Sequence, residues 1–338
     1  MLFSLIVPVY NREDEVKALL DSLARQDDKG FECIIVEDGS SITCIDTCKK
    51  YKDLLNLQYY FKENEGRSIA RNYGIERANG DYFVFVDSDC VLPTDYFSSL
   101  RKALSQNHAD CFGGPDAAHE SFSPLQKAIN FAMTSFLTTG GIRGGKVQLE
   151  KFVPRTFNMG FSREVNSVVG GFREMFSEDI DMSTRIRNAG FSPVLFREVR
   201  VYHKRRVSLR KFWNQVHVFG MSRITLKILY PGSLKAVHCL PALFVIFSAA
   251  MVACFVIGLC LGILGLILAI VPLAVYLLAL FVSASVVMKS IRLGALSVVT
   301  SMIQLWGYGT GFISAYVWKI LLRHGRDEAR EVEIRKGK

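Results

Sequence analysis

The sequence predicts an α/β protein built on a mostly parallel sheet and continued by helices that cross a membrane. Three observations carry this. Apolar strand-length segments alternate with segments of helical period over roughly the first ninety residues, and strands apolar throughout read as a parallel sheet covered on both faces. One of them, Tyr82-Phe83-Val84-Phe85-Val86, stops at two carboxylates, Asp87 and Asp89. Farther on, Leu240 to Met288 holds no Asp, Glu, Lys or Arg, which is too long for one span of about 20 residues.

Leu2 to Val9 is the first strand, interrupted by Pro8 and followed by Tyr10-Asn11-Arg12. Val16, Leu19, Leu20 and Leu23 then repeat at helical spacing. Phe31 to Val36 is the second strand, ending in Glu37-Asp38-Gly39-Ser40-Ser41, where Gly39 and the serines supply a turn and a helix cap. A polar helix and a strand at Leu57–Phe61 follow. Asn64-Glu65-Gly66 opens a helix from Ser68 to Ala78 that carries Arg71 and Asn72, and Asn79-Gly80 ends it.

The strand ending at Asp87 comes next. On an extended segment the i, i+2 spacing points Asp87 and Asp89 to the same side. Ligands in such sheets sit outside the carboxyl ends of the strands. A carboxylate pair there suits a hard cation such as Mg²⁺, which binds one or two carboxylates plus substrate phosphates. With Glu37 and Asp38 ending the second strand, two strand ends bring acids to one rim.

A helix from Pro93 leads to a strand near Asp110–Gly114. Residues 118–157, with a Gly-rich run at Gly140–Gly145, read as a loop or lid. Phe157–Ser162 is strand-like. Ser177 caps a helix whose first turn holds Glu178, Asp179 and Asp181. Those acids complement the helix dipole, or one of them enters the cleft as a general base. Strands at Pro193–Phe196 and Val199–His203 follow, with His203 at a strand end. Residues 208–230 form a helix with Phe212, Trp213 and Val216 on its apolar side, lying on a bilayer surface or packed on the sheet.

The charge balance is net +9, from 41 basic and 32 acidic residues. From Arg200 to Lys235 every charged residue is basic. A basic run just before an apolar span faces anionic lipid on the cytoplasmic side, and without a nucleic-acid motif it does not indicate nucleic-acid binding. The eight cysteines show no zinc spacing and read as reduced, buried thiols of a cytosol-facing protein. Met1 to Val7 is too short for a signal peptide. The apolar region reads as helices near 239–259, 264–288 and 296–321, with Gly258, Gly262 and Gly265 marking the first turn. Three crossings would place the tail beginning at Arg323, with its basic residues, on the outer side, against the positive-inside rule. Re-entry of 296–321 at Gly307–Gly311 is the alternative.

In this order the segments Val7-Pro8-Val9-Tyr10-Asn11-Arg12-Glu13, Val36-Glu37-Asp38-Gly39-Ser40-Ser41, Asn64-Glu65-Gly66 with Ala70-Arg71-Asn72, Asp87-Ser88-Asp89, and Gly170-Gly171-Phe172 before Glu178-Asp179 resemble the family 2 inverting glycosyltransferases of the GT-A nucleotide-diphospho-sugar transferase fold. The resemblance covers about residues 3–205. The appended helices look like those of membrane-attached bacterial members that assemble surface polysaccharide on a polyprenyl carrier. The expected division is therefore a catalytic domain over 1–205, a basic amphipathic juxtamembrane segment over 206–237, a membrane region over 238–322 and a charged tail over 323–338.

The resemblance implies that Pro8, Tyr10 and Asp38 hold the nucleotide base, with Glu13, Glu37 and Ser88 also on the donor side. It places Arg71 near the base or diphosphate and Asp87 toward the ribose and metal. Asp89 would ligate Mg²⁺ or Mn²⁺, with His203 a further ligand, and Asp179 would be the base. Glu178 and Trp213 are expected on the acceptor side. The Q-x-x-R-W element of processive synthases is not matched by Arg210–Gln215, which favours transfer of one sugar. The implied reaction is metal-dependent, inverting transfer from a nucleotide-diphospho-sugar to a hydroxyl of a lipid-linked or oligosaccharide acceptor at the cytoplasmic membrane face. A polyprenyl-phosphate glycosyltransferase, whose acceptor is the lipid phosphate, and a non-catalytic nucleotide-sugar-binding scaffold are the alternatives.

Overall fold

The computed structural model describes residues 1–117, 122–140, 152–203 and 208–323. The expected Gly-rich run at 141–145 and the tail at 324–338 lie outside these residues. The chain divides into two compact units. The first comprises Met1–Glu120 and Lys151–Lys204, the second Ser121–Glu150 and Arg205–Lys338.

The first unit opens with β1 (Phe3–Val9), α1 (Glu13–Ala24), β2 (Phe31–Asp38), α2 (Ile45–Lys49), β3 (Leu57–Lys62), α3 (Arg67–Arg77) and β4 (Tyr82–Phe85). β1 pairs in parallel with β2 and β4, and β2 with β3, as the run of wholly apolar strands requires. Next come β5 (Cys90–Val91), α4 (Tyr96–Gln106), β6 (Cys111–Gly113) and β7 (Asp116–Ala117). In the second unit α5 (Pro124–Thr134) and α6 (Phe136–Thr139) follow. The first unit then resumes with β8 (Met159–Ser162), α7 (Arg163–Val169), α8 (Glu178–Asn188), β9 (Pro193–Leu195) and β10 (Val201–His203).

Seven strands form one sheet in the order β3-β2-β1-β4-β8-β6-β9, and β5, β10 and β7 form a small second sheet. β8 runs antiparallel to both neighbours, so the sheet is mixed but mostly parallel. The strand alternation divides the core in two. Phe3, Leu5, Val7 and Val9 pack with Val16, Leu19 and Leu23 of α1 and Phe97 and Leu100 of α4. Ile6, Ile34, Phe83 and Phe85 pack on the other face with Ala70 and Ile75 of α3 and Met182 and Ile186 of α8. Full burial of such side chains contributes about 1.5–3 kcal/mol each, which holds β1 and β4 in register. The chain runs outward from β1 to β3, then crosses back to place β4 on β1's other side. That reversal opens a crevice at the carboxyl ends of β1 and β4.

Two local expectations change. Asp87 and Asp89 do not share an extended segment, because the Cys90 amide bonds the Asp87 carbonyl at 3.0 Å and closes a turn. The expected loop over 118–157 contains two helices in its described part. Ser123 caps α5 reciprocally with Gln126, and Pro124 occupies its first turn.

The second unit continues with α9 (Leu209–Leu229), α10 (Ala236–Leu261), α11 (Leu264–Ile267), α12 (Val271–Met288) and α13 (Ile291–Tyr316). Among the described residues two helical stretches, Ala236–Leu261 and Leu264–Met288, are long and apolar enough to cross a membrane. The turn between them passes through Gly262 in the left-handed region, as its sequence suggests. α13, expected as a third span or a re-entrant segment, is one continuous helix through Gly307–Gly311. It packs along α9 with the backbones touching. A Cβ on Gly311 would lie 2.1 Å from the His217 carbonyl oxygen, and one on Gly220 would lie 2.1 Å from that of Tyr308. Thr300 of α13 also bonds the Ala128 carbonyl of α5 at 2.9 Å. Small and polar residues thus line the buried face of α13 because neighbouring helices approach it closely.

Candidate active site

The ends of β1 and β2 are tied together first. Asn11, with a φ of 51°, accepts from the Ser41 amide at 2.9 Å and the Ile42 amide at 3.2 Å. Its own amide donates to Ser40 Oγ at 2.8 Å. This fixes the turn on which Tyr10, 52% exposed, stands beyond β1. Pro8 pairs in register with Val36, and Glu13, in the first turn of α1, accepts from Thr47 at 3.0 Å.

Glu37 and Asp38 separate here. Successive strand residues face opposite sides, so both cannot reach one rim. Asp38 accepts from Lys62 Nζ at 2.9 Å and from the Glu65 and Gly66 amides at 3.0 and 2.8 Å, which moors the loop before α3. Lys62 is raised above its usual range. Burial opposes this and is outweighed by its bonds to Glu65 and Asp38. Glu37, expected at the donor rim, is fully buried. It takes bonds from the Cys44 amide (2.8 Å), the Cys44 thiol (3.1 Å) and Tyr59 OH (3.0 Å). The Tyr59 hydroxyl is raised, by burial first and then by its bond to Glu37.

The acids after β4 and at the start of α8 are each met by a guanidinium. Arg71 of α3, expected near the nucleotide, is buried between them. Its Nη2 lies 2.8 Å from Asp87 Oδ1, its Nη1 2.9 Å from Glu178 Oε1, and its guanidinium sits over the Phe172 ring. Arg67, one turn earlier, bonds Glu178 at 2.7 Å. Glu178, expected on the acceptor side, is therefore buried and committed to two arginines. Asp89 lies 3.3 Å from Arg12, which also holds Glu15. Asp179 lies 3.3 Å from Arg155.

The cations are held charged by this surrounding. Burial would lower Arg12, but its bond to Glu15 and the charges of Asp89, Glu15 and Asp87 raise it. Burial would likewise lower Arg67, and the charges of Glu178, Asp87 and Asp179 raise it. Asp87 is thus within electrostatic reach of both Arg12 and Arg67, Asp89 of Arg12 and Asp179 of Arg67. Ser88 is buried in the turn between the two aspartates. Trp213 belongs to the second unit, on α9, stacked on His217.

Of His203 only the backbone is described. It pairs with Cys90, one residue past Asp89. Among the described residues no group of three or more His, Cys, Asp or Glu side chains could hold a metal ion alone. The donor set at Asp87 and Asp89 is nevertheless hard carboxylate oxygen, suited to a divalent cation that shares phosphate oxygens with a substrate. Arg12 shows that Asp89 faces a positive partner.

The sequence points to no role for Arg67 or Arg155, and Arg12 stands in the segment Val7–Glu13 without an assigned part. Arg67 stands four residues before Arg71 on the same helix, a spacing that places both on one face. Arg155 lies in the stretch read as a loop, where no periodicity points to it.

A mostly parallel sheet with Asp38 at the carboxyl end of β2, Asp87 just beyond that of β4, and Asp179 in the first turn of α8, is a GT-A-like arrangement. Residues 4–170 match the family Glycosyl transferase family 2. That stretch, just under half of the chain, is similar to the domain of that family.

Among curated relatives, glycosyltransferase GlyA of Streptococcus pneumoniae serotype 4 is 38% identical over 108 residues, covering 32% of this chain and 16% of GlyA. The poly(ribitol-phosphate) β-N-acetylglucosaminyltransferase TarS of Staphylococcus aureus is 34% identical over 114 residues, covering 32% of this chain and 20% of TarS. The chain spans less than a third of the length of these relatives. A mannosyltransferase from Pyrobaculum calidifontis, solved with GDP-Man and Mn²⁺, shares the fold with a TM-score of 0.63 at 17% identity, covering 90% of this chain and 87% of its own.

Proposed function

We propose that the protein transfers one sugar, with inversion, from a nucleotide-diphospho-sugar to a hydroxyl of a glycan on a polyprenyl-diphosphate carrier, at the cytoplasmic face of the membrane. One observation supports this reading: Asp87, Asp89 and Asp179 are each bonded by an arginine, with Asp87 sharing the field of Arg12 with Asp89 and that of Arg67 with Asp179. The archaeal mannosyltransferase of the same fold, solved with GDP-Man and Mn²⁺, supports a diphospho-sugar donor and a divalent cation.

In this reading Pro8, Tyr10 and Asp38 border the base, and Asp87 faces the ribose. Asp89, with His203, would hold Mg²⁺ or Mn²⁺, which offsets the negative charge gathering on the leaving nucleoside diphosphate. Arg12 and Arg67, already at the rim, are placed to meet the same charge. Asp179 takes the proton of the acceptor hydroxyl, a contribution of about 10²–10⁴-fold. Attack from the face opposite the leaving group gives inversion in a single displacement. The exposed apolar surfaces of α10 and α12, including Ile246, Phe247, Leu278 and Val282, support insertion of this hairpin into the bilayer.

The test is release of nucleoside diphosphate from a panel of nucleotide sugars, with and without a polyprenyl-linked acceptor. Asp179→Asn is expected to abolish transfer while donor binding survives. Asp89→Ala is expected to lose the Mn²⁺ dependence of donor binding in calorimetry. Turnover indifferent to Asp179→Asn would instead favour an ionised lipid phosphate as acceptor, which needs no base. Absence of diphosphate release with every donor would overturn the reading altogether.

A further inference from the structure

The stretch 152–158 is attached to α8 at both ends of that helix. Arg155 Nη1 donates to Asp179 Oδ2 at 3.3 Å in the first turn. In the last turn Arg187 Nη2 donates to the Phe152 carbonyl. The other oxygen of Asp179, Oδ1, accepts from the Ile180 amide at 2.8 Å. Both carboxylate oxygens are therefore engaged, one by Arg155 and one by the following amide.

Arg155 is itself on fixed backbone. It bridges to Asn158 across a turn, closed by the Asn158 amide on the Arg155 carbonyl at 2.8 Å. Asn158 is fully buried. Its side chain accepts from Tyr96 OH at 2.7 Å and donates to the Val199 carbonyl at 2.7 Å. The next residue begins β8, which is paired on both sides. The sheet thus dictates where Arg155 stands. Exposed ion pairs of this kind contribute little, but Arg155 and Asp179 are only 19% and 17% exposed. Arg67 faces the same carboxylate through its charge alone, so Arg155 is the cation that bonds it.

We propose that Arg155 is a positioning residue for Asp179, fixing which carboxylate oxygen meets the acceptor hydroxyl and at what angle. This rests on Asp179 acting as the base. Misplacement of a catalytic group by about 1 Å can cost 10²-fold, so loss of Arg155 acts on turnover rather than on donor affinity.

The experiment compares Arg155→Ala, Arg155→Lys and Asp179→Asn in the full chain, with steady-state kinetics, donor calorimetry and thermal unfolding on each. Arg155→Ala is expected to lose about 10- to 100-fold in kcat, with donor Kd and Tm unchanged. Guanidinium added below denaturing concentrations should restore part of that turnover, and Arg155→Lys should retain more than Arg155→Ala. Full kcat in Arg155→Ala overturns the proposal. So does a loss that guanidinium leaves untouched, or one that follows donor affinity or Tm. An inactive Asp179→Asn beside a fully active Arg155→Ala would sink this proposal alone, whereas an active Asp179→Asn would remove the base assignment as well.

Discussion

Arg71 Nη1 stands 2.9 Å from Glu178 Oε1 across 107 residues of chain, and both side chains are almost completely buried. Through its other nitrogen Arg71 reaches Asp87, so one guanidinium links the turn after β4 to the first turn of α8. Removing one partner of a buried pair costs up to about 3–5 kcal/mol, and less here because Arg71 keeps Asp87. Glu178→Gln is therefore expected to lower unfolding free energy by a few kcal/mol, read by urea titration. A stability loss within error of zero would show that the pair is not buried in solution.

Asp28 gives the pH dependence a definite sign. Its carboxyl is held below the usual range, by the hydrogen bond from Arg101 first (Nε to Oδ2, 2.6 Å), with burial opposing and the Gly30 amide assisting. A group depressed on folding stabilises above its unfolded value, and that stabilisation is lost as pH falls through its folded value. Asp28→Asn is expected to cost no more than about 1 kcal/mol at neutral pH. Its difference from the parent protein should disappear below the ordinary carboxylate range. A gap that persists in acid would point to packing rather than charge.

The thiols are expected to divide by location. Burial pushes the Cys33 and Cys90 thiols up and takes Cys111 to about 12. Cys44 is raised by its contact with Cys48 first and by burial second. None of these should react with maleimide at pH 8 before denaturation. Cys260, exposed near the turn after α10, should react. If α10 and α12 cross the bilayer, an impermeant maleimide reaches it from the outer face of intact spheroplasts. Labelling only from the inner face would contradict the crossing.

Gly39 tests the loop that carries Asp38. Its φ is +72°, and an added Cβ would lie 2.5 Å from the Asn64 amide nitrogen. A left-handed alanine costs about 1–2 kcal/mol from conformation alone, with crowding against Asn64 added to that. Gly39→Ala should lower Tm and weaken nucleoside diphosphate binding in calorimetry. Unchanged binding would separate this loop from the donor.

The parallel half of the sheet is legible in the sequence because β1, β2 and β4 are apolar on both faces, and only a doubly covered sheet buries such strands. The rim acids are legible for a related reason, since carboxylates that end apolar strands have few other places to go. What escapes is pairing between distant segments. Nothing near Glu37 says that Cys44 and Tyr59 will enclose it, although strand alternation already allows only one of Glu37 and Asp38 to face the crevice. Arg155 meets Asp179 through a turn set by Asn158, Tyr96 and Val199, three residues from separate parts of the chain. α5 was within reach of sequence reasoning, through Ser123, Pro124 and Gln126 at its start. The length and glycines of α13 suggest a membrane span, and the helices packed on it explain those glycines differently.

The left-handed turn at Gly262 sends α12 back along the direction from which α10 came. If that hairpin crosses a bilayer, both its feet stand at one face, and the feet are basic: Lys235 before α10, Lys289 and Arg292 after α12. α13 packs on this hairpin as well as on α9, since a Cβ on Gly309 would meet the Pro241 carbonyl of α10 and one on Gly294 would meet Ser285 of α12.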